Sequence, residues 1–198
     1  MKRNNLPINK PGRAAMLVLV AGMTTLMTGC VTANLKVSPT ANIQNVSDKK
    51  IPLSVGLMLD DRFCTYRALI LNRPLIPLGP VLKQQSISLC EQTFKQVSVS
   101  TNGVVPAGVR ATLTPEVHRC GVATHETGND FTLLLQWTLR TVDNRNILWM
   151  TTVDGHANGS PDKVYQLLFD DLATKSYQAF QASPEIKQLI TKRSGTTW

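Results

Sequence analysis

Few side chains in this 198-residue chain can do covalent or metal chemistry, and they are scattered along it. There are four cysteines (Cys30, Cys64, Cys90 and Cys120) and three histidines (His118, His125 and His156). His118, Cys120 and His125 fall close enough in sequence to reach one zinc ion, but their spacing matches no zinc signature. Asp60-Asp61 offers adjacent carboxylates. Neighbours in an extended chain point to opposite sides, so the pair does not converge and reads as the solvated end of a strand. No serine sits in a Gly-x-Ser-x-Gly elbow, and the chain has neither a glycine-rich phosphate loop nor a Cys-x-x-Cys pair. A hydrolase working through His118 or Asp60 is the weakest reading that this inventory leaves. No catalytic residue, metal or cofactor is expected.

Cys30 stands apart because of what precedes it. Lys2, Arg3, Lys10 and Arg13 make a basic start without an acid, residues 14–26 (AAMLVLVAGMTTL) are apolar, and Met27-Thr28-Gly29-Cys30 closes the run. A membrane span needs about 20 apolar residues, so the segment reads as a secretory signal. Leu26-Met27-Thr28-Gly29-Cys30 resembles the lipobox of bacterial lipoproteins. It matches at Gly29 and Cys30, with Met27 where that family most often has Leu. The resemblance implies that residues 1–29 are removed as a signal peptide. Cys30 would then become an N-terminus carrying palmitate-type chains. Each buried methylene contributes about 0.8 kcal/mol, and two or more chains hold where one is marginal. Val31, where an Asp would retain the protein at the inner membrane, implies the periplasmic face of the outer membrane. An uncleaved signal anchor, or a secreted protein in which Cys30 is incidental, are the other readings.

The chain carries +8 overall; without residues 1–29 it keeps 17 basic against 13 acidic residues, or +4. That is too dilute for nucleic acid, which requires a dense basic stripe. It suits an ordinary surface, or one that meets anionic lipid or polysaccharide. In an oxidising compartment, acylation of Cys30 leaves an odd number of thiols. Cys90 lies on an apolar helix face and reads as the buried single thiol. Cys64 and Cys120 each follow a strand and would bridge if those strand ends are neighbours; three unpaired thiols is the alternative.

These residues need a scaffold, and the pattern supplies one. Residues 30–50 are polar and read as the acylated N-terminus and a flexible tether. Residues 51–192 suffice for one periplasmic domain, and 193–198 for a frayed tail. Ile51, Leu53, Val55, Leu57 and Leu59 alternate as a strand, with Ser54 and Gly56 leaving room for a helix on its second face. Gly79-Pro80 opens a helix whose apolar face runs Leu82, Leu89, Cys90, Phe94 and Val97. A short strand at 97–100 follows. The next, at 109–117, places Val109, Ala111, Leu113 and Val117 on one side, with Pro115 forcing an edge or a bulge. Residues 131–142 and 147–155 form a hairpin. An odd loop such as 143–145 aligns Leu139 with Trp149 and Leu135 with Val153, putting the apolar residues on one face. Ser160-Pro161-Asp162 starts a helix with the stripe Val164, Leu167, Leu168, Leu172, Ala179 and Phe180. Ser183-Pro184-Glu185 starts a shorter one running to about Lys192. The expected fold is α+β: a single mixed or antiparallel sheet with two main helices packed on one face.

Residues 66–78 (YRALILNRPLIPL) are apolar, yet Pro74 and Pro77 bar a regular element. They are either a strand with a covered turn or an exposed patch for a partner, for lipid or for a neighbouring subunit. Leu69, Leu71, Leu75, Ile70 and Ile76 are the candidate partner-binding residues. The order of elements, carried by IPLSVGLMLDD, LCEQTFKQV, LLLQWTLRTVDNRNILWMTTVDG and LLFDDLATKSYQAF, is similar to that of small envelope lipoproteins of the YajG, LptE and CsgG-like kind. That resemblance implies a non-enzymatic accessory component of an envelope assembly, transport or secretion complex, held to the membrane by its acyl chains and compatible with a homo-oligomer. A lipid- or glycan-binding module of the envelope is the alternative.

Overall fold

The computed structural model describes residues 35–69, 75–125 and 128–191. The run ending at Cys30, Ile70 and Leu71, and the tail at 193–198 lie outside them.

Ile51, Leu53, Val55 and Leu57 are buried along β1 (Ile51–Met58), as a period of two demands. β1 is an interior strand, flanked by β4 (Phe94–Ser100) and β5 (Ala111–His125), both parallel to it. β6 (Gly128–Thr141) and β7 (Ile147–Gly159) extend the sheet antiparallel, in the order β4-β1-β5-β6-β7. A parallel pair requires a crossover. Between β1 and β4 this consists of α1 (Asp61–Cys64), a ribbon of β2 (Arg67–Ala68) and β3 (Ile76–Pro77), and α2 (Gly79–Thr93). α3 (Pro161–Ala182) and α4 (Pro184–Thr191) follow β7. The class is α+β with a mixed sheet, as expected. The described residues hold four helices and a second small ribbon rather than two helices on a single sheet.

The core lies between the sheet and the two long helices. Leu82 and Leu89 of α2 and Phe169 and Leu172 of α3 converge on Leu135 and Trp137 of β6. The fully buried Trp137 donates its indole N–H to Ser176 Oγ at 2.9 Å, which satisfies its one polar atom. Phe180 collects the rings of Trp137, Phe94 and Trp149 at centroid distances of 5.1, 5.5 and 5.9 Å. At the edge of the sheet, Asp171 of α3 accepts from the His156 backbone N–H of β7 at 2.8 Å, and Lys175 bonds the Asp154 carbonyl at 2.7 Å.

Several expectations change. Phe94 and Val97 are not on α2: the helix stops at Thr93, and Phe94 begins β4, opposite Ile51. Gly56 is covered by Pro106 and Val109 of a loop, not by a helix, so Val109 lies outside β5. Leu167 is 48% exposed, while Phe169 and Tyr177 are buried instead. Among the described residues β5 pairs with β1 only at Ala111, Thr112 and Leu113, so no described strand pairs with the buried Pro115 on that side, and the bulge follows between Val117 and Arg119. The hairpin does align Leu139 with Trp149 and Leu135 with Val153. Its loop is even, however, because Thr141 N–H donates to the Asn146 carbonyl at 3.0 Å. A register shift at Leu139/Arg140 restores the apolar face.

Candidate functional site

The side chains singled out for chemistry are occupied or muted. Asp60 and Asp61 are exposed at the end of β1, as expected, and Asp60 also caps α1, its Oδ1 accepting from Phe63 N–H at 2.7 Å. His118 is exposed and shares a 2.7 Å hydrogen bond between its Nε2 and Gln136 Oε1. The side chain of His125 lies outside the described residues. Among the described residues no three His, Cys, Asp or Glu side chains group as metal ligands. Cys64, Cys90 and Cys120 are free thiols. Burial raises all three above the ordinary thiol value, most strongly at the fully buried Cys90; at Cys64, Lys83 opposes the rise. The thiolate is the reactive form, so these are poor nucleophiles. Tyr66 feels Cys120, and its phenol is raised by its own burial first and by that thiol second.

The apolar segment at 66–78 resolves into two parts. Ala68, Ile76 and Leu78 are buried beneath the ribbon, and the backbone of α2 starts hard against it, with Gly79 N–H donating to the Tyr66 carbonyl at 2.9 Å. A Cβ at Gly79 would collide with the Cys64 carbonyl, which accounts for the glycine. Beyond the ribbon, Leu69 is 78% and Leu75 48% exposed. Ile76, expected among the partner-binding residues, is therefore part of the core. The described parts of the segment are thus covered at Ala68, Ile76 and Leu78 and exposed at Leu69 and Leu75.

Sequence reasoning missed the docking of residues 35–50 onto the helices. Residues 35–50, expected to be a loose tether, are laid as a strap over the groove between α2 and α3, with Ala41 and Ile43 buried. On the α2 side, Gln85 Nε2 donates to the Ser38 carbonyl, Ala41 N–H donates to Ser88 Oγ (3.0 Å), and Gln92 Nε2 donates to the Ala41 carbonyl (2.8 Å). On the α3 side, Ser38 N–H donates to Gln166 Oε1 (2.7 Å), Gln44 N–H to Thr174 Oγ1 (3.1 Å) and Ser47 N–H to Tyr177 Oη (2.8 Å). These partners recur at helical spacing, 85-88-92 and 166-170-174-177, because residues three and four apart share a face. That spacing of polar residues beside each apolar stripe was the available signal. The strap advances in the same direction as both helices. It therefore enters at their N-terminal ends, where the ribbon joins α2.

No protein-family model matches the chain, and no curated protein matches its sequence. Among solved structures it is similar to protein XCC0632 from Xanthomonas campestris, of the DUF330 family. The TM-score is 0.50 at 12% identity, over 78% of this chain and 94% of that one. It is similar at lower scores to the PelC dodecamer from Paraburkholderia phytofirmans (0.45, 13% identity, 69% and 93%). It is also similar to lipoprotein GNA1162 from Neisseria meningitidis (0.39, 17% identity, 67% and 100%). The first of these shares the fold. No described helix is long and apolar enough to cross a membrane.

Proposed function

We propose that the chain is a lipoprotein of the outer membrane's periplasmic face, acting as a structural or accessory component of an envelope assembly, transport or secretion complex. The observation that carries this reading is the basic and apolar run closing at Gly29-Cys30. The strap supports it. With residues 35–50 docked, only 31–34 separate an acylated Cys30 from the folded domain, a reach of at most about 18 Å. The domain would be held close to the bilayer. Weak contacts there gain from a high local concentration of partner. The role is non-catalytic on this reading, in keeping with Asp60 serving as a helix cap.

Labelled palmitate and membrane fractionation test the anchor. The wild type is expected to take up label and sediment with outer membranes, and Cys30→Ser to do neither. A Cys30→Ser chain that remains membrane-bound refutes the anchor. Mild crosslinking in envelopes tests the accessory role, and a protein recovered always without partners refutes it.

A further inference from the structure

Where the end of the strap, the start of β1 and the α3–α4 junction meet, there is a recess of about 210 Å³. Its apolar wall is formed by Ile51, Phe180, Ile186 and Ile190. The first three are core residues that back the recess, and Ile190 is its more open apolar side chain. Lys49, Lys50 and Lys187 stand around it, and no carboxylate is among the lining residues. Lys50 Nζ donates to the Glu91 carbonyl at 2.6 Å and Lys187 Nζ to the Ala182 carbonyl at 3.5 Å. Both acceptors lie in the last turns of long helices, where carbonyls lack intrahelical donors. Two ammonium groups are thus held in place by one bond each, and each has three protons to give. Glu185, the acid at the start of α4, is engaged by the Ser183 hydroxyl at 2.9 Å. Three ammonium charges exceed the partial negative charge, about half a unit each, of the two helix C-termini they stand beside, so the cleft keeps a net positive field that concentrates counter-ions.

We propose that this recess binds a small anionic amphiphile, with a phosphate or carboxylate met by the lysine ammonium groups and a short apolar part laid against Ile190 and the exposed edge of Ile51. A recess of about 210 Å³ has room for an anionic head with a few carbons but not for a full acyl chain. The site lies at the C-terminal ends of the long helices, opposite the end where the strap enters, and the inference does not depend on acylation of Cys30.

The test is isoleucine-methyl NMR on the full chain in phosphatidylcholine nanodiscs, titrated with hexyl phosphate, inorganic phosphate and hexyl glucoside. Hexyl phosphate is expected to shift the methyls of Ile51, Ile186 and Ile190 saturably, and inorganic phosphate to do so at least tenfold more weakly. Hexyl glucoside is expected to leave them in place. The Lys49→Gln/Lys187→Gln double variant should bind hexyl phosphate at least tenfold more weakly while melting as the wild type does, and Lys163→Gln, outside the recess, should bind normally. Equal shifts with hexyl glucoside, equal affinity for inorganic phosphate, or undiminished binding in the double variant would each overturn the proposal.

Discussion

Cys90 lies at 0% exposure among core side chains, and desolvation of the thiolate lifts its titration far above the ordinary value of 9.0. The native state then holds this proton more tightly than the unfolded chain does. The associated stability is fully present below about pH 9 and is lost as pH rises toward the folded value. Urea unfolding at pH 8 and at pH 10.5 should show a loss that Cys90→Ala reduces, and identical slopes in the two proteins would remove Cys90 as its source. A neutral contact gives a second residue-scale prediction. Ser176→Ala leaves the indole N–H of Trp137 buried without its acceptor, which should cost about 1–3 kcal/mol in urea unfolding. Cys90 was readable as a buried thiol from its place on an apolar helix face. The Trp137–Ser176 bond was not readable, because it joins residues 39 positions apart on different elements.

At the scale of elements, legibility followed periodicity. The alternation through β1 and the hairpin register were visible because each puts one continuous row of apolar side chains against the core. The end of α2 was not visible, since Phe94 and Val97 continue its helical stripe and no glycine or proline stops it. Tertiary packing decides there: Phe94 pairs with Ile51 and packs its ring on Phe180. The strap was illegible for another reason. It has few apolar residues, and its partners on α3 lie about 130 positions away. Tyr177→Phe removes the hydroxyl that accepts from Ser47 N–H and should cost about 1 kcal/mol. Combined with Gln85→Ala, it should abolish hydrogen-exchange protection at Ser47 and Gln44 while the β6 amides stay protected. Protection retained at those two strap amides would show that the strap does not depend on these bonds. Gly155 allows a close approach of α3 to β7, where a Cβ would meet the Leu168 carbonyl and Leu172 Cβ at 3.0 Å. Gly155→Val should therefore destabilise by about 1–3 kcal/mol through overpacking, read from the urea midpoint.

For the whole molecule, the topology divides its two ends. The strap enters, and the ribbon stands, at the N-terminal ends of the long helices; the lysine-ringed recess sits at their C-terminal ends. The ribbon tip can be tested without confusing contact with folding, because its apolar residues divide by burial. Leu69→Asp/Leu75→Asp changes side chains that are 78% and 48% exposed, so stability should move by no more than about 0.5 kcal/mol per site. Ile76→Asp places an unpaired charge at a position only 7% exposed and should cost several kcal/mol or prevent folding. If the tip meets the partner complex, the double variant remains folded and membrane-bound by thermal melting and fractionation but loses its crosslinked species. Crosslinks that persist in a folded double variant would move the contact to another face of the domain. Loss of crosslinks together with a melting shift as large as that of Ile76→Asp would mean that the tip stabilises the fold rather than recognising a partner.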